Sequence, residues 1–300
     1  MQFSTNTMQI RSNGINLEAE LHGAPDAMPV LMIMGLGMQL VSWPPELIDA
    51  LASRGLRPIV FDNRDVGLAS KFDAWGRPNL VKVSLQHALR LPIRAPYLLT
   101  DMARDALGVL DALGIERAHV VGVSMGGMIA QLLAGLAPTR IGALTLVMTS
   151  TGSRKLPGPT MAARRALLSR PAGSDIGAQI EHGVRVWRTI GSPKYPASDA
   201  SLRARVERSI RRAWHPEGVA RQLVSVIASG ERSAQVARIT QATLVIHGRD
   251  DPLVPAACGI ELAAKIPRAS LQLIDGMGHD MPVELAPSLA TMIATHCAGK

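Results

Sequence analysis

Aromatic residues are scarce in this chain of 300 residues, at 3%. Its arginines are not interleaved with aromatic side chains and lie in no recognisable nucleic-acid-binding fold, which argues against a nucleic-acid partner. Any apolar pocket must therefore be lined by Leu, Val, Ala and Met, and Met is plentiful at 14 copies. Unbranched Met adapts to varied shapes, so a permissive pocket is expected. Cysteine is limited to Cys258 and Cys297, neither in a Cys-x-x-Cys pair nor at metal-ligand spacing from a His. A disulfide framework and a metal centre are thereby excluded, and inert buried thiols are expected. No apolar run is long enough to span a membrane, and the opening Met1-Gln2-Phe3-Ser4-Thr5-Asn6 lacks the basic and apolar regions of a signal peptide. A cytoplasmic protein is the expectation. There is no Rossmann fingerprint, phosphate loop, internal repeat or low-complexity tract, and no cofactor is expected.

Hydrophobic residues at 47% and charged residues at 19% suffice for a buried core. The length fits one large domain, or a domain with a sizeable insertion. The net charge of +8 is unevenly placed. Residues 153–235 carry 15 Lys and Arg against 6 Asp and Glu, while the remainder carries 17 against 18. The basic excess belongs to one segment.

That segment also interrupts a regular pattern. Met8-Gln9-Ile10-Arg11 and Ile15 to Leu21 alternate in polarity around Asn13-Gly14, which favours a tight turn with positive φ, so an antiparallel hairpin is predicted. Val30 to Met34 is a short apolar run of the kind buried on both faces of a parallel sheet, and Arg57 to Phe61, Ala118 to Val123, Ile141 to Met148, Thr243 to His247 and Ser270 to Ile274 are predicted as further strands. Helical stretches are predicted at Pro45 to Arg54, Leu98 to Leu113, Met125 to Ala137, Ala256 to Lys265 and Val283 to His296. Strands alternating with helices imply a parallel α/β sheet. Residues 153–235 contain no buried-strand run. Ile180, Val184 and Trp187 share one helical face, and Leu202, Val206 and Ile210 another. Arg203, Arg205, Arg208, Arg211 and Arg212 fill the other faces of the second helix and read as a solvated surface; attraction of an anionic substrate is the alternative. The expected organisation is a core of residues 1–152 and 236–300 with a helical cap at 153–235.

The strongest chemical signal is Gly122-Val123-Ser124-Met125-Gly126, a Gly-x-Ser-x-Gly motif placed directly after a predicted buried strand and opening a predicted helix. A turn that sharp strains the serine backbone, and glycines two positions away on either side avoid Cβ collisions. The hydroxyl of Ser124 then stands above the sheet edge beside the unpaired N–H groups of a helix N-terminus. Oxyanion stabilisation needs two backbone donors, one of them the N–H of Met125.

Together with Ile33-Met34-Gly35-Leu36-Gly37, Trp43-Pro44 and the stretch Phe61-Asp62-Asn63-Arg64-Asp65-Val66-Gly67-Leu68-Ala69-Ser70, this motif resembles the α/β-hydrolase superfamily along essentially the whole chain. Within it, the residues look most like bacterial esterases related to the aclacinomycin methylesterase group. The resemblance implies the chain order serine, acid, histidine. His279, in Gly276-Met277-Gly278-His279-Asp280-Met281-Pro282 after the last strand, matches the general base. The other seven histidines, at 22, 87, 119, 182, 215, 247 and 296, fit worse; His247 is read as structural. The stretch Gly248-Arg249-Asp250-Asp251-Pro252-Leu253-Val254-Pro255 resembles the family's Gly-x-x-Asp-x-x-Val-Pro loop and selects Asp251 as the acid, with Asp250 the alternative. Leu36 matches the second oxyanion donor, although Met34 stands where the family often has His. Asp65 replaces a usual Gly, and Arg64 is expected to brace loops by ion pairing.

The implied activity is hydrolysis of a small-molecule carboxylic ester through an acyl-enzyme. A histidine base implies activity rising through the imidazole range, roughly pH 6 to 7. A lactonase, C–C hydrolase, perhydrolase (cofactor-free haloperoxidase) or acyltransferase would use the same residues, whereas Ser rather than Asp at 124 argues against a haloalkane dehalogenase or epoxide hydrolase. A non-catalytic ligand-binding protein is the rival of a different class, and a homodimer is left open.

Overall fold

The structure, a computed structural model, describes residues 6–299. Its strands are β1 (Asn6–Ser12), β2 (Ile15–Leu21), β3 (Met28–Ile33), β4 (Leu56–Phe61), β5 (Ala118–Val123), β6 (Ile141–Val147), β7 (Thr243–Gly248) and β8 (Ala269–Ile274). They form one sheet in the order β1-β2-β4-β3-β5-β6-β7-β8. The hairpin β1–β2 closes at Asn13 and Gly14, whose φ values of 48° and 81° are both positive, as a two-residue hairpin turn demands. β2 also pairs antiparallel with β4, and every later pairing is parallel.

The helices are α1 (Pro45–Ala52), α2 (Leu80–Ala88), α3 (Leu99–Ala112), α4 (Met125–Leu136), α5 (Met161–Leu168), α6 (Ile176–Ile190), α7 (Asp199–Arg212), α8 (Pro216–Ser229), α9 (Ser233–Val236), α10 (Ala256–Lys265) and α11 (Ala286–Ala298). Strand side chains alternate between faces, so the sheet is buried on both. Leu31 and Ile33 pack with Met102, Val109, Ile129, Leu133 and Leu262 of α3, α4 and α10. Val30 and Met32 pack with Leu47, Leu51, Leu289 and Ile293 of α1 and α11 on the opposite face.

Between β6 and β7 the chain is helical. Ile180, Val184, Leu202, Val206 and Ile210 of α6 and α7 make a small apolar core of their own, backed by Trp187. The arginine-rich surface departs from the expectation of a solvated face. Arg203, Arg208 and Arg211 are exposed, but Arg205 lies over the Trp187 ring and Arg212 reaches the fully buried Asp62 carboxylate at 2.7 Å. From α8, the buried Arg221 grips Asp65 with two hydrogen bonds of 2.9 and 2.8 Å. Asp65 adopts φ 70°, which explains why Gly is common there; its carboxylate also accepts from the Tyr97 hydroxyl and the Phe72 N–H. Arg64 does brace loops, through a buried two-bond pair with Asp105 at 2.6 Å and 2.6 Å, between the rings of Phe72 and Tyr97. The Asp62–Asp65 loop is thus where the helical insert is bolted to the sheet.

Burial alone would raise the Asp65 carboxyl, but hydrogen bonds from Arg221, Phe72 and Tyr97 and the Arg221 charge bring it below the usual carboxylate range. A depressed native pKa contributes stability above the unfolded-state value, and that contribution is lost as pH falls through the native one. Arg221→Ala should therefore lower unfolding stability at neutral pH by about 3–5 kcal/mol, the range for breaking a buried pair. In urea titrations, the gap to the wild type should narrow once the pH falls below about 4. A pH-independent gap would show that the charge pair contributes little.

Candidate active site

β5 is buried at every position, and Ser124 follows it at once, with α4 beginning at Met125. Ser124 holds φ 54° and ψ −118°, a conformation unfavourable for any L residue. It persists because the turn is over-determined: the Ser124 N–H donates to the Val147 carbonyl at 2.9 Å, and the Thr149 hydroxyl donates to the Ser124 carbonyl at 2.7 Å. The flanking glycines are dictated by contact. A Cβ at Gly122 would lie 2.5 Å from the Gly126 carbonyl oxygen, and one at Gly126 would lie 2.0 Å from that of Ile33.

The imidazole of His279 lies against this serine. Its Nε2 is 3.0 Å from the Ser124 Oγ and its Nδ1 is 2.7 Å from Oδ2 of Asp251. The second Asp251 oxygen accepts the N–H groups of Leu253 and Val254 at 2.9 and 2.8 Å. The Asp251 side chain is fully buried and that of His279 nearly so, so their charges interact with little solvent screening.

Asp250 points elsewhere: its carboxylate accepts the Gly276 N–H at 2.7 Å and its own N–H donates to the Met277 carbonyl, tying the acid loop to the histidine loop. His247 donates from Nε2 to the Val254 carbonyl at 2.7 Å, which supports the Asp251 loop from below, and burial lowers its pKa and keeps it neutral. His119 accepts the Ala143 N–H within the sheet, and His296 sits by the Ala242 carbonyl. Cys258 and Cys297 are buried, and desolvation pushes their thiols up to about 11 and about 12. Among the described residues, no three His, Cys, Asp or Glu side chains group as metal ligands, and no helix is long and apolar enough to cross a membrane.

Leu36 lies in the turn that crosses the serine: a Cβ on Gly35 would be 3.3 Å from the Ser124 Cβ and 3.8 Å from its Oγ. Met125 is the first residue of α4, where an N–H has no intrahelical acceptor. With Met34 in place of a family His, the turn is held by other residues that sequence reasoning missed. Gln222 of α8 accepts the Gly37 N–H at 2.8 Å and donates to the Arg64 carbonyl at 2.7 Å. Asn63 donates to the Met34 carbonyl at 3.0 Å, and Asp62 accepts the Leu40 N–H at 2.8 Å. Asp62 and Asn63 lay within the resembling stretch; Gln222 sits in no motif.

The histidine loop is held by the helical insert in the same way. The His279 N–H donates to the Ile190 carbonyl at 2.7 Å, the Lys194 N–H to that of Gly276 at 3.2 Å, and the Gly278 N–H to the Ser192 Oγ at 2.9 Å. The Ser192 hydroxyl in turn donates to Asp280. Burial pushes the Asp280 carboxyl up, against the pull of Ser192 and the Arg205 charge. Losing one such bond is worth about 1.4 kcal/mol, a factor of about ten. Ser192→Ala should therefore lower kcat about tenfold with KM nearly unchanged, and Ser192→Thr should restore it. Wild-type kcat in Ser192→Ala would show that the segment does not position His279.

Residues 28–175 match the profile of the alpha/beta hydrolase fold. Rhodomycin D methylesterase DauP of Streptomyces sp. (strain C5) is 31% identical over 312 residues, covering 97% of each chain. A 2-hydroxy-6-oxononadienedioate/2-hydroxy-6-oxononatrienedioate hydrolase of Cupriavidus pinatubonensis is 33% identical over 265 residues, covering 88% of this chain and 84% of that one. Among solved structures, the meta-cleavage product hydrolase CumD of Pseudomonas fluorescens IP01 superposes with a TM-score of 0.75 at 22% identity, covering 97% of both chains.

Proposed function

Since this chain belongs to the alpha/beta-hydrolase family, we propose that it hydrolyses carboxylic esters through Ser124, His279 and Asp251. The observation that carries this reading is the hydrogen-bonded line from the Ser124 hydroxyl through both His279 nitrogens to a buried carboxylate, set on a strained turn. Ser124 Oγ attacks the ester carbonyl carbon while His279 Nε2 takes its proton. Asp251 holds the Nδ1 proton and stabilises the imidazolium. The N–H groups of Leu36 and Met125 receive the negative oxygen of the tetrahedral intermediate. The intermediate collapses, the C–O bond breaks and the alcohol leaves with the proton from His279. Water then attacks the acyl-serine with His279 again as base, releasing the acid and restoring the serine. The chemistry calls on water alone. Residues 153–235 form a cap over this edge of the sheet and shape the acyl pocket.

The full-length similarity to a methylesterase favours a small alkoxy leaving group on a larger acid. The similarity to a hydrolase of oxo-dienedioates supports a second reading, in which the same serine attacks a ketone carbonyl and a C–C bond breaks. Turnover of p-nitrophenyl and methyl esters, with a fluorophosphonate labelling Ser124, tests the first reading. Labelling with turnover confined to oxo-dienoates would select the second, and absence of labelling would overturn both in favour of a binding protein.

A further inference from the structure

Helix α2 buries only Val83. Val81, at 81% exposed, Leu85 and Leu89 follow one another at i, i+4 spacing along its outer side, and Leu91 continues the exposed run. Trp75, 58% exposed, precedes the helix. An exposed apolar run of this kind marks a contact surface. The charge along the segment from residue 74 to 98 is of one sign. Residues 74–98 contain Arg77, Lys82, Arg90 and Arg94 and no Asp or Glu. All four are exposed, and none is in an ion pair within the described residues. Arg154 docks on the end of the helix through the His87 carbonyl at 2.7 Å.

We propose that this face of α2 and its flanks docks the enzyme on an anionic lipid surface, with Val81, Leu85 and Leu89 entering the interface and the unpaired basic side chains meeting lipid head groups. The combination of an apolar stripe with flanking cations is what an interfacial helix requires. A second copy of the chain fits less well. A two-fold dimer would set the patch against itself and bring unpaired cations together with no carboxylate in the segment to answer them. None of these residues belongs to the hydrogen-bonded line of Ser124, His279 and Asp251, so docking and hydrolysis can be measured independently.

The test is sedimentation of the full-length chain with phosphatidylcholine vesicles, with and without phosphatidylglycerol, at low and high salt. Binding should require phosphatidylglycerol and fall at high salt, because cations at a charged surface are screened. The triple variant Val81→Ser, Leu85→Ser, Leu89→Ser and the double variant Lys82→Glu, Arg90→Glu should each weaken it at least about tenfold. Both should keep wild-type hydrolysis of a soluble ester, which reports that they fold. Failure to bind phosphatidylglycerol vesicles, or binding that neither set of substitutions alters, would overturn the proposal. So would a dimer in vesicle-free solution, seen by analytical ultracentrifugation and dissolved by the triple variant, because a second copy would then be what covers the helix.

Discussion

Ser124→Ala should reduce ester hydrolysis by roughly 10⁵–10⁶-fold in kcat, with substrate binding nearly intact and fluorophosphonate labelling gone. The size of the loss follows from the geometry. His279 sits 3.0 Å from the hydroxyl it would deprotonate and has no other nucleophile in that position. The turn at Leu36 and the helix start at Met125 remain, so residual catalysis above the uncatalysed rate is expected from their N–H groups alone. The substitution should not unfold the protein, because alanine occupies φ 54° with the same strain as serine. Ser124→Gly separates strain from chemistry: glycine tolerates the positive φ, so this variant should be equally inactive but more stable than the wild type, by about 1 kcal/mol. A Ser124→Ala enzyme with wild-type turnover would remove the nucleophile from the mechanism altogether.

The inner parallel strands were legible because they are buried on both faces and read as apolar runs, the edge strand β8 alternates with Ser270 and Gln272 exposed, and Asn13-Gly14 marked the hairpin. The serine turn was legible because close backbone approach at Gly122 and Gly126 leaves no choice of residue. Helix α8 was not, and the reason is physical. Its inward face carries Arg221, Gln222 and Ser225, all buried and all hydrogen-bonded to the sheet or its loops. Hydrophobic periodicity is blind to a face that is buried through polar contacts. Helix α2 escaped for the opposite reason: with one buried side chain it has apolar residues on the outside as well as the inside. The arginines of α7 looked uniform in sequence, and only the fold separates Arg212, drawn onto Asp62, from its exposed neighbours. Ser192 and Asp280 lie 88 positions apart, so nothing local could pair them.

Adjacent aspartates give the sharpest discrimination within the site. Asp251→Asn should lower kcat by about 10⁴-fold while leaving KM close to the wild-type value. The Asp251 carboxylate accepts the Nδ1 proton of His279 at 2.7 Å, which leaves Nε2 free to take the serine proton. An amide at 251 can offer an N–H to Nδ1 instead, reversing the tautomer and placing a proton where the base must be empty. Its remaining oxygen could still accept the Leu253 and Val254 N–H groups, so the loop should survive and the loss should be one of chemistry. His247 cannot substitute: its Nε2 is 3.6 Å from Asp251 and committed to the Val254 carbonyl. Asp250→Asn should behave differently, because an amide oxygen can accept the Gly276 N–H that the carboxylate now takes at 2.7 Å. Its kcat should stay within a few-fold of wild type, and any cost should appear as a Tm lowered by a few degrees, matching about 1 kcal/mol for a weakened loop contact. The ordering of the two variants decides the assignment. A larger kcat loss in Asp250→Asn than in Asp251→Asn would mean that the working enzyme orients His279 through the other carboxylate.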